Sequence, residues 1–221
     1  MNTLPLMQQV LDDDWHQLPE VIQRHYQLDN NSQTESVVTG TMQIHYPWVI
    51  KPILVIARLL GALIDLKGSN MQVSVRKWVT QYSETLHWKR TIKAPDGRTI
   101  IFASRMEHQQ NNQLIEYVGF GFGIRLQISV EDGRLVYRSI GHLCKTPWFT
   151  IPIPDVLFLG HAVIIETALS DTEFELDFTI RHPLWGETYS YGGVFSYPHT
   201  DDGDSSRRLS ENRSRSEGKW F

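Results

Sequence analysis

The stretch FELDFTIRH, Phe174 to His182, decides the fold class. Phe174, Leu176, Phe178 and Ile180 alternate with Glu175, Asp177, Thr179 and Arg181. A strand sends successive side chains to opposite faces, so the apolar set shares one side and the polar set the other. His182 ends the apolar row. The neighbours on both sides keep the two-residue period. Ala162 to Leu169 precedes it through a Ser170-Asp171 turn, and Glu187 to Tyr197 follows, with Tyr189, Tyr191 and Phe195 on a face shared with Glu187 and Gly193. Short strands joined by tight turns lie antiparallel.

Further from this centre the pattern repeats. Met71 to Val79, Glu84 to Lys93, Thr99 to Glu107, Gln113 to Val118, Ile124 to Val130 and Leu135 to Cys144 read as strands, with Pro95-Asp96-Gly97 and Glu131-Asp132-Gly133 as hairpin turns. An earlier strand starts at Val38 and carries Gly40, Met42, Ile44 and Tyr46 on one face. Lys145 to Gly160 breaks the period with Pro152 and Pro154 and leaves room for a helical turn. Two helices are expected before the main run of strands. Pro19 opens a short one over PEVIQRHYQL, with Val21, Ile22, His25 and Tyr26 at helical spacing. The second runs roughly from Lys51 to Leu66 and ends near Gly68. Its apolar residues nearly encircle the axis, so it is expected to be buried under the sheet rather than laid on a membrane.

The expected fold is therefore α+β and mostly β: a large curved antiparallel sheet or half-barrel of about nine to ten strands wrapped on an apolar N-terminal helix. Residues 1–199 form one domain. Residues 200–221, DDGDSSRRLSENRSRSEGKWF from Asp201 on, lack apolar periodicity and read as a polar, disordered tail.

Bulk properties exclude several classes. The chain has 221 residues and a formal charge of −4, with no basic footprint for nucleic acid. Cys144 is the single cysteine, which fits a reducing compartment, and the N-terminus lacks a signal-peptide pattern; cytoplasmic is the default. Lys51, Arg58 and Asp65 interrupt the longest apolar run, so no transmembrane segment is expected, while peripheral membrane contact stays open. Gly119-Phe120-Gly121-Phe122-Gly123 is followed by Ile124 and a strand rather than by a third spaced glycine and a helix, so it reads as a bulge or bend, not a nucleotide loop. The histidines show no paired metal-ligand spacing, no G-x-S-x-G elbow is present, and Cys144 stands outside any nucleophile motif. No catalytic residue, metal or cofactor is assigned.

What remains is a set of polar residues on apolar strand faces. Arg90 shares a face with Leu86, Trp88 and Ile92; Glu116 lies between Leu114 and Val118; Glu166 lies between Ile164 and Ala168. For Glu116 and Glu166 the opposite face, with Ile115, Tyr117, Val163 and Ile165, is apolar too. An isolated buried charge is costly, so such groups must pair or reach water in a cavity. Two readings stand: interior ion pairs such as Arg90 with Glu116, or strand ends where the side chain escapes to solvent, on the one hand, and a polar cluster lining a ligand cavity of roughly 300 Å³ or more on the other.

LPEVIQRHYQ from Leu18, Trp88-Lys89-Arg90, Ser104-Arg105, Ile115-Glu116-Tyr117-Val118-Gly119 and HPLWGETYSYGGVF from His182 together resemble the bacterial domain-of-unknown-function family numbered 4166, over Leu18 to Tyr197. The resemblance implies no established activity. Related domains also occur fused behind a saccharopine-dehydrogenase-like nucleotide-binding domain, and a dehydrogenase label does not carry over to this sequence. Arg90, Glu116, Gly119, His182, Gly186, Tyr191 and Gly193 match the family pattern, as fold determinants or as site residues.

The expected function is non-catalytic binding of a small hydrophobic or lipid-like ligand between sheet and helix, with Trp88, Arg90, Glu116, Glu166, His182 and Tyr191 as candidate ligand-binding residues. The alternative is a protein-interaction module docking on a separate nucleotide-binding or membrane-associated partner. An enzyme without a cofactor ranks third.

Overall fold

The alternation is realised as β1 (Glu35–His45), β2 (Gly68–Val79), β3 (Leu86–Lys93), β4 (Thr99–His108), β5 (Gln113–Tyr117), β6 (Phe122–Glu131), β7 (Arg134–Lys145), β8 (Thr150–Ile153), β9 (His161–Ala168), β10 (Glu173–His182) and β11 (Gly186–Ser196). The computed structural model describes residues 4–28, 34–59, 61, 63–80, 85–154 and 159–197; the expected tail, Glu84 and the Asp29 to Gln33 turn lie outside them. In the Lys145 to Gly160 segment, residues 150–153 form the short strand β8, and residues 155–158, within the stretch left for a helical turn, lie outside the described residues.

Sequential antiparallel pairing from β1 to β7 is continued by β7 with β9, β9 with β10 and β10 with β11. β11 then pairs back on β1, with Thr39 opposite Ser196 and Ile44 opposite Tyr191. Ten strands thus form a closed barrel, and β8 extends the wall beside the end of β7. The half-barrel expectation is corrected by these long-range pairings. At the β1–β11 seam Gly40 and Gly193 face inward where no side chain fits. A Cβ on Gly193 would lie 2.1 Å from the Thr41 carbonyl oxygen, and one on Gly40 would lie 2.1 Å from that of Val194. Glycine at such places lets the sheet coil sharply enough to close.

The barrel has two distinct ends. α1 (Leu6–Leu11), a 3₁₀ segment (Asp12–Gln17) and α2 (Glu20–Tyr26) plug the end where β4 meets β5, β6 meets β7 and β9 meets β10. Pro19 precedes α2, and its carbonyl accepts the amides of Ile22 and Gln23, so the chain enters the helix without wasting a donor. Leu6, Met7, Val10, Trp15, Ile22 and Tyr26 bury against the interior. Each such side chain contributes about 1.5–3 kcal/mol of transfer free energy.

The opposite end, here called the rim, carries the β1–β2, β3–β4, β5–β6, β7–β9 and β10–β11 connections. α3 (Lys51–Leu59) lies here, and the expectation of a long helix wrapped by the sheet is corrected. The helix stops at Leu59 because Gly61, at φ +68°, takes the left-handed conformation and donates to the Arg58 carbonyl; Gly68 instead opens β2. Leu54 and Ala57 are buried, but Ile53 and Val55 are exposed, so α3 caps the rim with one apolar side turned outward. Leu60 lies outside the described residues. No described helix is long and apolar enough to cross a membrane. The Gly119–Gly121 segment is a tight turn between β5 and β6, with Phe120 at φ +56° and Gly121 at φ +80°. A Cβ on Gly121 would meet the Lys145 carbonyl oxygen at 2.2 Å, which explains the glycine there without any phosphate.

Candidate functional site inside the barrel

The two-residue period places Val73 and Val75 of β2, Trp88, Arg90 and Ile92 of β3, and Phe174, Leu176, Phe178 and Ile180 of β10 on the inner face. Between them lies an interior cavity of about 110 Å³. It extends from His25 of the plug to Leu63 and Ile64 beneath the rim. Most of its wall is apolar, and Trp88, Arg90, Glu116, His142 and Tyr191 supply polar groups. The volume falls below the roughly 300 Å³ expected for a drug-sized ligand site. Phe102, Phe174, Phe178, Tyr189 and Phe195 account for this, because their rings occupy much of the lumen.

Arg90 and Glu116 share one triangle with Ser104 of β4. Arg90 Nη1 donates to Ser104 Oγ at 2.9 Å, Nη2 donates to Glu116 Oε1 at 3.3 Å, and Ser104 Oγ donates to the same carboxylate oxygen at 2.6 Å. The guanidinium also lies 4.8 Å from the Trp88 ring and 5.3 Å from the Phe102 ring, so two aromatic faces share its charge. The ion pair is made and its members border the cavity, whose volume is smaller than the roughly 300 Å³ that the ligand-site reading expects. Burial pushes the Tyr191 hydroxyl up to about 12.

Glu166 belongs to a second cluster, nearer the plug. The Tyr26 hydroxyl donates to Glu166 Oε1 at 2.7 Å and is itself hydrogen-bonded to the Tyr137 hydroxyl. Burial raises the Glu166 carboxyl from 4.5 to about 7, against the opposing pull of the Tyr26 bond and of Lys77. Lys77 is fully buried, its Nζ donates to the His25 carbonyl rather than to a carboxylate, and it lies 5.4 Å from the Tyr26 ring. Burial holds the Lys77 ammonium well below its usual value and does the same to the His25 imidazole. Glu166 Oε2, His25 Nδ1 and Trp88 Nε1 are buried polar atoms with no hydrogen-bond partner among the described residues.

The structure therefore gathers Trp88, Arg90, Glu116 and Tyr191 around the cavity, sets Glu166 beside the plug, and leaves His182 elsewhere. His182 is buried at the rim, stacks on Trp185 with centroids 4.2 Å apart, and accepts the Leu184 amide on Nδ1 at 3.1 Å. It does not line the cavity. Glu187, expected on the inner face, is exposed. A register shift between Ile180 and Arg181 turns it outward and buries both Thr188 and Tyr189.

Sequence reasoning missed Lys77, Ser104, Tyr137 and His142. Lys77 stands two residues after Val75, and Tyr137 two after Leu135, so the alternation that exposed Arg90 applies to both. No group of three or more His, Cys, Asp or Glu able to hold a metal ion occurs among the described residues.

Among curated proteins no match is found. Among solved structures, the chain is similar to a protein described as a de novo designed fluorescence-activating beta barrel, at 8% identity, covering 72% of this chain and 91% of that one. The TM-score of 0.26 is too low for that likeness to carry any argument. The family described as "Domain of unknown function (DUF4166)" matches residues 18–195, from the linker before α2 to the last inward residue of β11. With the match spanning the barrel and α2, the chain belongs to this family of domains of unknown function.

Proposed function

We propose that the domain binds a small, mostly apolar molecule bearing a hydrogen-bond acceptor or acidic group, held inside the barrel. The observation that carries this reading is the cavity itself: an apolar chamber whose polar edge holds the Arg90 guanidinium. Arg90 supplies charge, with donors beyond the two engaged by Ser104 and Glu116. The size sets the class. A dry cavity of about 150 Å³ accepts benzene, so 110 Å³ suits a group smaller than an aromatic ring, such as a short alkyl segment. A longer chain would require Leu63 and Ile64 to move aside.

The test is ligand retention in a cavity-filling variant. Wild-type protein purified without lipid or detergent is analysed by native mass spectrometry and titrated with short-chain carboxylic acids. Val75→Phe adds bulk at the cavity wall and is expected to cost no more than about 1–3 kcal/mol of stability. It should abolish both the retained mass and the saturable binding. If wild type retains nothing and shows no saturable binding, or Val75→Phe binds as wild type does, the reading fails.

A further inference from the structure

We infer that the rim docks on an anionic lipid surface, an inference that does not depend on what fills the cavity. Large apolar side chains stand exposed on four separate connections at this end. Trp48 before α3 is 84% exposed, Phe120 in the β5–β6 turn 78%, Trp148 between β7 and β8 87%, and Leu184 in the β10–β11 turn 77%. Val49, Ile53 and Val55 extend the surface along the outward side of α3.

These connections are tied into one end of the molecule. The Gly119 amide meets the Gly61 carbonyl at 3.4 Å, and Gly121 packs on the Lys145 carbonyl. Gly160 packs against the Arg181 and His182 backbone, and the Tyr189 hydroxyl donates to the Ile64 carbonyl at 3.1 Å. The side chains thus project from a fixed rim instead of collapsing inward. Several large apolar side chains left exposed at one end of a molecule mark a site of association.

Charge decides between occupants. The chain as a whole is at −4, yet exposed Lys51, Lys67, Lys93, Lys145 and Arg181 surround the rim. Of the acids at this end among the described residues, Asp65 pairs with Arg58 and Asp96 with Arg98, which leaves Glu187. Asp12, Asp13, Asp14 and Glu20 lie at the plug end, so the molecule is polarised along the barrel axis. A basic ring around tryptophans matches the chemistry of an anionic headgroup layer, where indoles favour the interface and lysines the phosphates. A second copy brought rim to rim would instead oppose like charges.

The experiment is vesicle sedimentation of the full chain. One set of vesicles is phosphatidylcholine alone; in the other about a third of the lipid is phosphatidylglycerol, enough for a negative surface potential. The chain is expected to sediment with the anionic vesicles and to be released by high salt. Trp48→Ser combined with Trp148→Ser should weaken partitioning at least about tenfold with an unchanged unfolding midpoint, because both side chains are exposed. Lys51→Glu with Lys145→Glu should do the same on anionic vesicles. Val75→Phe should sediment like wild type, so loss of the cavity ligand and loss of docking remain separate results. Absence of sedimentation with both vesicle types overturns the inference, as does a tryptophan variant that partitions normally. So does a solution dimer that the tryptophan variant dissociates while wild type ignores vesicles, which would assign the rim to a second copy.

Discussion

Replacing Glu166 by glutamine tests the electrostatics of the plug quantitatively. The side chain is 2% exposed, and burial lifts its carboxyl from 4.5 to about 7. Between those values the folded protein keeps a proton that the unfolded chain has released. Stability is therefore greatest below the unfolded value and is lost as pH rises through the folded one. At 1.36 kcal/mol per pH unit, the span from 4.5 to 7 corresponds to about 3 kcal/mol, fully lost by about pH 8. Glutamine is neutral throughout and keeps a carbonyl to accept the Tyr26 hydroxyl. Glu166→Gln should match wild type near pH 4.5 and exceed it by about 3 kcal/mol near pH 8. Lys77 titrates in both proteins, and without Glu166 its ammonium loses an attraction, which trims the gain. Urea unfolding at intervals across that range reads the difference directly. A gap that stays constant with pH, or a glutamine variant that is the weaker protein near pH 8, would refute the reasoning, because it would mean the carboxylate is charged and well paired.

Other substitutions probe neighbouring features. Burial depresses the Lys77 ammonium, so wild-type stability should rise as pH climbs toward 10.5, and Lys77→Met should lose that rise in the same urea series. Arg90→Met strands Glu116 on Ser104 alone and should cost about 3–5 kcal/mol by chemical unfolding; a cost below about 1 kcal/mol would show the pair to be energetically idle. Gly121→Ala brings a Cβ to within 2.2 Å of the Lys145 carbonyl, whereas Gly97→Ala, at φ +87°, meets nothing within 4 Å. Thermal melts should show the first change to be clearly the more damaging, with the second costing about 1 kcal/mol.

Much of the barrel wall was legible because alternation is a local property. Phe174, Leu176, Phe178, Ile180 and Arg90 point inward as the two-residue period demands; Glu116 and Glu166, on strands apolar on both faces, also lie inside, which the period alone left open. Closure was not legible. It rests on the pairing of β1 with β11, which joins residues from opposite ends of the sequence and leaves no mark in any window of neighbours. α3 departs from expectation for a different reason: a nearly encircling apolar surface argues for burial, yet part of that surface faces outward from the rim. Glu187 failed through a register shift, since one displaced residue exchanges inside and outside. His182 does end an apolar row, but the row ends at the rim, beyond the cavity.

The seam between β1 and β11 also has a consequence for how the chain must be made. A polypeptide emerging from the ribosome presents β1 early, and its closing partner only after every other strand has been synthesised. Until then the inner faces of the earlier wall strands have no enclosed lumen, and the plug of α1 and α2 has nothing to seal. Loop-closure entropy for so distant a pairing must be met before it is rewarded, which places the domain among slow folders with exposed apolar intermediates. Release of a chain truncated before Gly186 should therefore yield an aggregating product, in contrast to the full chain, whose last strand closes the wall.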